Sequence, residues 1–251
     1  MLNVLNHNAE NTSSIKQQRQ KLLLVIAGLL TLYMTGNYSG ILQGRLLSWW
    51  SDLFWTFAAL AAAGRCMLTA KKRSMPQEQK AWYLFGLAAC SWFVGMLIWD
   101  YYEIFGGELT PFPSIGDWFF MGYAVFFTAG LFYYRTHTPT RQYNMIQVAN
   151  LGLMICSIIV ICFVLLSQVL QHSHHSVEYE FYALSHAILT IACFVFGMYC
   201  YWFYVWRENR QSFRLMLAAL FIFAVTDTLY AFQLLGQSFD ASSYLNIYWL
   251  I

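Results

Sequence analysis

The side chains able to do chemistry in this chain are few, and most stand at the ends of apolar runs. Asp52, Asp100 and Asp117 lie among Trp49, Trp50, Trp55, Trp99, Tyr101, Tyr102 and Trp118, and Asn246 lies beside Tyr248 and Trp249. Carboxylates set among π faces suit a small cationic or amphipathic ligand. Its candidate binders are Asp52, Asp100, Asp117, Trp118, Trp99 and Asn246. An interfacial aromatic belt with helix-capping acids gives the same pattern and needs no ligand. His172, His174 and His175, with Glu178 and Glu180, form a second group. Such a cluster could hold a transition metal or sense acidity, and a solvated loop is the alternative. Asp227, between Thr226 and Thr228, and His186 are ionisable groups deep inside apolar runs. They serve either function or a polar contact that fixes helix packing.

Nothing else in the chain carries a soluble-enzyme signature. Walker A, GxGxxG, HExxH and GxSxG patterns are all missing, so no catalytic residue and no cofactor is assigned. The six cysteines lie in apolar runs or at their edges without CxxC spacing, which marks packing residues rather than a disulfide framework or a zinc site. Of the 251 residues 59% are hydrophobic and only 10% charged, too few charges to clothe a soluble domain of this length. The chain reads as an integral membrane protein whose first partner is the lipid bilayer. Its net charge of +2 gives no reason to expect nucleic acid.

The elements that must position these residues are membrane helices. The fold class expected is all-α, a polytopic membrane helix bundle of at least eight spans. Spans are expected at about 22–38, 51–70, 81–104, 115–134 and 145–170, then one ending near Trp206 and one ending near Gly236. An eighth opens at Tyr244 and stops at Ile251, a length of roughly 12 Å against a hydrocarbon core of ~30 Å. The domain reading is therefore a cytoplasmic N-terminal tail at 1–20 and a membrane domain at 21–251, truncated within its eighth span. Asp52, Asp117, Glu180 and Asn246 recur at about 65 residues, each with nearby aromatics, which reads as four hairpin repeats. In the stretch TPFPSIGD, Pro111 and Pro113 disfavour helix before them. Ser114 can cap the helix that follows, with Asp117 in its first turn. With the N-terminus inside, all of the 14 Lys and Arg residues except Arg45 fall on the cytoplasmic side. Depth then pairs two groups. His186 lies roughly 12 Å below the entry of its span and Asp227 roughly 13 Å below the same face, so a direct or single-water contact is expected between them.

The run P-F-P-S-x-x-D-x-x-F at 111–120, followed by an apolar helix, resembles the N-terminal multi-pass membrane regions of bacterial GGDEF and GGDEF-EAL signalling proteins. Residues 236–251 resemble the companion motif of those regions, with Asn246 where an Asp is usual. The resemblance implies a sensory or scaffolding role, and the reading adopted is an inner-membrane sensory module. It would regulate a cytoplasmic output domain, a diguanylate cyclase or phosphodiesterase, lying past Ile251. The further partners expected are a small extracytoplasmic ligand, on the strength of the acidic aromatic mouths, and a second copy of the chain in a homodimer. The alternative is a small-molecule transporter or channel built from repeated helical hairpins.

The charge pattern makes a topological prediction. In a variant without native cysteines, single cysteines replacing Glu108 and Ser173 are expected to react with an impermeant thiol reagent added to intact cells. One replacing Gln77 is expected to stay protected. The reverse pattern would invert the orientation.

Overall fold

The computed structural model describes residues 24–106, 111–135, 176–204 and 210–235, with isolated positions within 17–21 and 145–167. Most of the expected fifth span lies outside the described residues, as do His172, His174, His175 and the whole of 236–251, Asn246 included. The chain divides into two compact units, Met1–Ser51 and Asp52–Ile251.

In lipid every backbone N–H and C=O must be satisfied within the protein, which an unbroken helix does by itself. Long runs of Leu, Ala, Phe and Trp meet that demand here. Among the described residues five helices are long and apolar enough to cross a membrane. The protein is thus a helical membrane bundle.

In the first unit α1 (Leu24–Tyr38) is apolar but shorter than the ~20 residues of a full crossing. The following loop turns at Gly44, whose φ of 57° is a left-handed conformation that other side chains resist. α2 (Arg45–Lys72) begins immediately after it, ahead of the expected start near Ser51. The turn, not the first apolar residue, sets that boundary. Within this unit the Ser51 hydroxyl donates to Asn37 Oδ1 at 2.7 Å and the Trp50 indole to the Tyr33 carbonyl at 3.4 Å.

The second unit takes in the rest of α2 and four further elements. α3 (Pro76–Asp100) starts at a proline, which the first helical turn accommodates, and so begins ahead of the expected Ala81. It runs on as a six-residue π-helix, Tyr101–Gly106. α4 (Ile115–Arg135), α5 (Val177–Tyr204) and α6 (Arg210–Leu235) complete the unit. α3 and α4 pack antiparallel and close. The Ser91 hydroxyl donates to the Phe119 carbonyl at 2.6 Å, and a Cβ on Gly122 would stand 2.6 Å from that same hydroxyl. Small residues at such crossings let helix backbones approach and gain dispersion contacts in lipid. α5 and α6 are also antiparallel, paired through Phe194–Phe221 and Tyr201–Phe213. Phe85, Leu131, Cys193, Cys200, Phe213, Leu217 and Leu220 form the shared core.

Charge separates along these helices. Lys71, Lys72, Arg73, Lys80 and Arg214 gather at one end, where Arg73, Lys80 and Arg214 rest over the rings of Trp82, Tyr133 and Tyr201. Asp52, Asp100, Glu103, Asp117, Glu178 and Glu180 gather at the other. The acidic end is where the candidate residues converge.

The α3–α4 crossing is testable. Gly122→Ala is expected to destabilise the protein by about 1–3 kcal/mol through overpacking. Adding Ser91→Ala removes the hydroxyl it meets and should recover part of that loss. Thermal unfolding in detergent reads both variants, and a double variant less stable than Gly122→Ala alone would refute the contact.

Candidate functional site

The site begins with the turn that starts α4. Ser114 is its N-cap, and its hydroxyl accepts the Gly116 N–H at 3.2 Å. Asp117, three residues on, reaches back: its Oδ2 accepts the Ser114 N–H at 2.6 Å and the Ser114 hydroxyl at 3.0 Å. This is a reciprocal capping box, with Asp in place of the usual Glu. The loop before it is held by Phe112, whose ring meets Tyr179 edge-on at 4.8 Å, while the Tyr179 hydroxyl donates to the Leu234 carbonyl at 3.2 Å. Asp117 is therefore fixed, and its second oxygen, Oδ1, faces α5. There His186 Nε2 stands 3.3 Å away. That is ion-pair distance, although the approach is too oblique for an aligned hydrogen bond. Both side chains are buried.

Around this pair the five helices of the unit form a half-open chamber with about 40 Å³ of room for water-sized molecules. α2 supplies Trp55; α3 supplies Trp92, Met96 and Trp99; α4 supplies Asp117 and Phe120; α5 supplies His186; α6 supplies Asp227 and Tyr230. The rings support one another. Trp92 lies 4.7 Å from Phe120 and 4.9 Å from Phe223, Trp99 lies 6.4 Å from Phe120, and His186 lies 6.4 Å from both Phe120 and Tyr230. Each such pair contributes about 0.5–1.5 kcal/mol beyond its buried area. Carboxylates behind aromatic faces give this chamber the chemistry of a small-ligand site.

An acidic corner adjoins it. Thr56 donates to Asp100 Oδ2 at 2.8 Å. Asp52 lies beside Asp100 and Glu103, and the Trp99 indole reaches Glu103 from the chamber wall. Asp52 Oδ2 and Asp100 Oδ1 are buried without a hydrogen-bond partner among the described residues. No group of three or more His, Cys, Asp or Glu side chains there is arranged to hold a metal ion.

The structure therefore divides the residues singled out by the sequence. Trp99, Asp117, His186 and Asp227 line one chamber, with His186 and Asp227 on consecutive helices and Asp117 completing the set. Asp52 and Asp100 stand in the acidic corner, and Trp118 points outward, 61% exposed, with its ring against Tyr182. Asn246 and the three clustered histidines lie outside the described residues. Trp92, Met96, Phe120 and Tyr230 are wall residues that sequence reasoning did not select. A helical signal marks them all the same. Trp92, Met96 and Trp99 are spaced i, i+4, i+7, while Asp117–Phe120 and Asp227–Tyr230 are each spaced i, i+3, so each set shares a helix face. Comparison with protein-family models, with curated proteins and with solved structures finds no match.

The Asp117–His186 contact can be measured by a double-mutant cycle. Asp117→Ala and His186→Ala are each expected to cost roughly 3 kcal/mol, because each strands a buried polar partner. The double variant should cost about 1–3 kcal/mol less than their sum. Simple additivity in thermal or denaturant unfolding would show that the two side chains are neighbours without coupling.

Proposed function

We propose that the protein is a sensory module of the bacterial cytoplasmic membrane, with its N-terminus in the cytoplasm. A small cationic or amphipathic ligand enters from the acidic, extracytoplasmic end and binds in the Trp55–Trp92–Trp99 chamber. The observation that carries this reading is the meeting of Asp117, Asp227 and His186 from three helices inside one aromatic cavity. The concentration of basic side chains at the opposite end supports the orientation. The likeness of residues 111–120 to the membrane regions of GGDEF and GGDEF-EAL proteins supports an output in cyclic di-GMP signalling. In this reading the module has at least eight spans in four hairpins and works as a homodimer. A ligand biases the output only if it binds two arrangements of the helices unequally, through small shifts of α5 and α6.

A transporter is the second reading, favoured by the burial of Asp227 and His186 within the spans. One experiment separates the two. With the protein in nanodiscs, tetramethylammonium is expected to change tryptophan fluorescence saturably, and Asp227→Asn, which touches no helix cap, should abolish the change. No saturable change in the wild type would defeat the sensory reading. Uptake of the same cation into proteoliposomes would replace it with transport. In cells, a shift in cyclic di-GMP on addition of the cation is the outcome expected of a sensor.

A further inference from the structure

A second cavity lies directly beneath the chamber. It has about 240 Å³ of room for water-sized molecules, is open on one side, and is lined by apolar and aromatic residues of α2, α3, α4 and α6. The two cavities share Trp55 and Trp92 as a common wall. On every helix the lower lining residues lie farther from the acidic end than the upper ones. Ala59 follows Trp55 on α2, Ala89 precedes Trp99 on α3, Phe127 follows Asp117 on α4, and Ala219 precedes Asp227 on α6. The cavities are thus stacked along the bundle, and alanines on three helices leave the lower one open. From Asp117 to Phe127 the stack is roughly 15 Å deep at helical rise.

The upper chamber also discriminates between kinds of cation. A primary ammonium brings three N–H donors that require acceptors when buried. Asp117 Oδ2 is already engaged by two Ser114 donors, Oδ1 faces His186, and Asp227, the other carboxylate in the lining, is itself engaged within the protein, with Tyr123 and Tyr230 as neighbours. What the chamber offers instead is aromatic faces, backed by more acidic than basic groups among its lining residues. A quaternary ammonium brings no donors and is held by such faces and by the field behind them. The apolar cleft beneath suits an alkyl or aryl tail, which gains about 0.8 kcal/mol per buried methylene, near fourfold in affinity.

We propose that the chamber and the cleft form one site for a quaternary ammonium amphiphile, its head between Trp55, Trp92 and Trp99 and its tail against Ala59, Ala89 and Ala219. This rests on the chamber being the ligand site of the proposed sensory function, and adds the class of ligand and the place of its tail.

The test is equilibrium binding to the full chain in nanodiscs, corrected for uptake by empty nanodiscs, with three probes: tetramethylammonium, hexyltrimethylammonium and hexylammonium. Hexyltrimethylammonium is expected to bind at least roughly tenfold tighter than tetramethylammonium, and tighter than hexylammonium. Ala219→Phe, which fills the cleft, should bring hexyltrimethylammonium down to the level of tetramethylammonium. Ala89→Leu, on a different helix, should weaken it in the same direction. Unchanged near-ultraviolet circular dichroism would show that both variants keep their tryptophan packing. Saturable tetramethylammonium binding with no gain from the hexyl chain would overturn the proposal and leave the chamber as a simple cation site. So would equal binding of hexylammonium, or a hexyl gain that survives both substitutions. Absence of binding by tetramethylammonium and hexyltrimethylammonium alike would overturn the underlying ligand reading as well.

Discussion

A carboxyl group inside a membrane bundle is tolerable only when its oxygens find partners, and the acidic end of this protein is arranged around one that divides its two oxygens between two tasks. Asp117 Oδ2 closes the N-terminus of α4 by taking both donors of Ser114, while Oδ1 confronts His186 on α5. The first contact is local and holds the side chain in a single orientation. The second is long-range and depends on the first. If the carboxyl turned to improve one contact it would weaken the other, so helix start, helix pairing and chamber wall are set together. Phe112 and Tyr179 clamp the loop that feeds this turn, which ties α5 and the end of α6 to the same point.

Close crossing of α3 and α4 gives the chamber its shape. Ser91 and Gly122 bring the two backbones near enough for Trp92 and Phe120 to pack at 4.7 Å, and Phe223 of α6 closes on the same indole. Lipid offers no hydrophobic drive between helices, so such small-residue contacts and ring pairs must supply the association. The apolar space beneath runs against that economy of packing. It opens on one side and lies where alanines of three helices stand in place of larger side chains. It lies below the charged, aromatic chamber and shares Trp55 and Trp92 with it.

The same helices that line the chamber run through to the basic end. α6 carries Asp227 and Tyr230 at one end and Arg214, bonded to Tyr201 of α5, at the other. The sensory reading proposed above requires such a pair to carry a small displacement along its length, since packed interfaces shift between discrete arrangements rather than deform smoothly. The acidic corner of Asp52, Asp100 and Glu103 sits on α2 and the π-helical end of α3. Trp99 belongs both to the chamber wall and to that corner.

Membrane class, helical content and the separation of charge were legible in the sequence, because each follows from composition and linear order. A run of twenty apolar residues must be helical in lipid whatever surrounds it. The cap at Ser114 and the place of Asp117 in the first turn were equally legible, since both lie within one turn of chain. Glycine conformation at Gly44 and the proline start of α3 moved two boundaries outward, because backbone geometry ends a helix where hydropathy does not. The tertiary structure alone decided which polar groups meet. Matching depth pointed to His186 and Asp227, and both line one chamber, where His186 also stands 3.3 Å from Asp117 of α4. Depth along a helix is additive and readable from residue number. Rotation about the axis is set by packing on several neighbours at once, and that selected Asp117 over Trp118 and gathered Trp55, Trp92, Phe120 and Tyr230 around it.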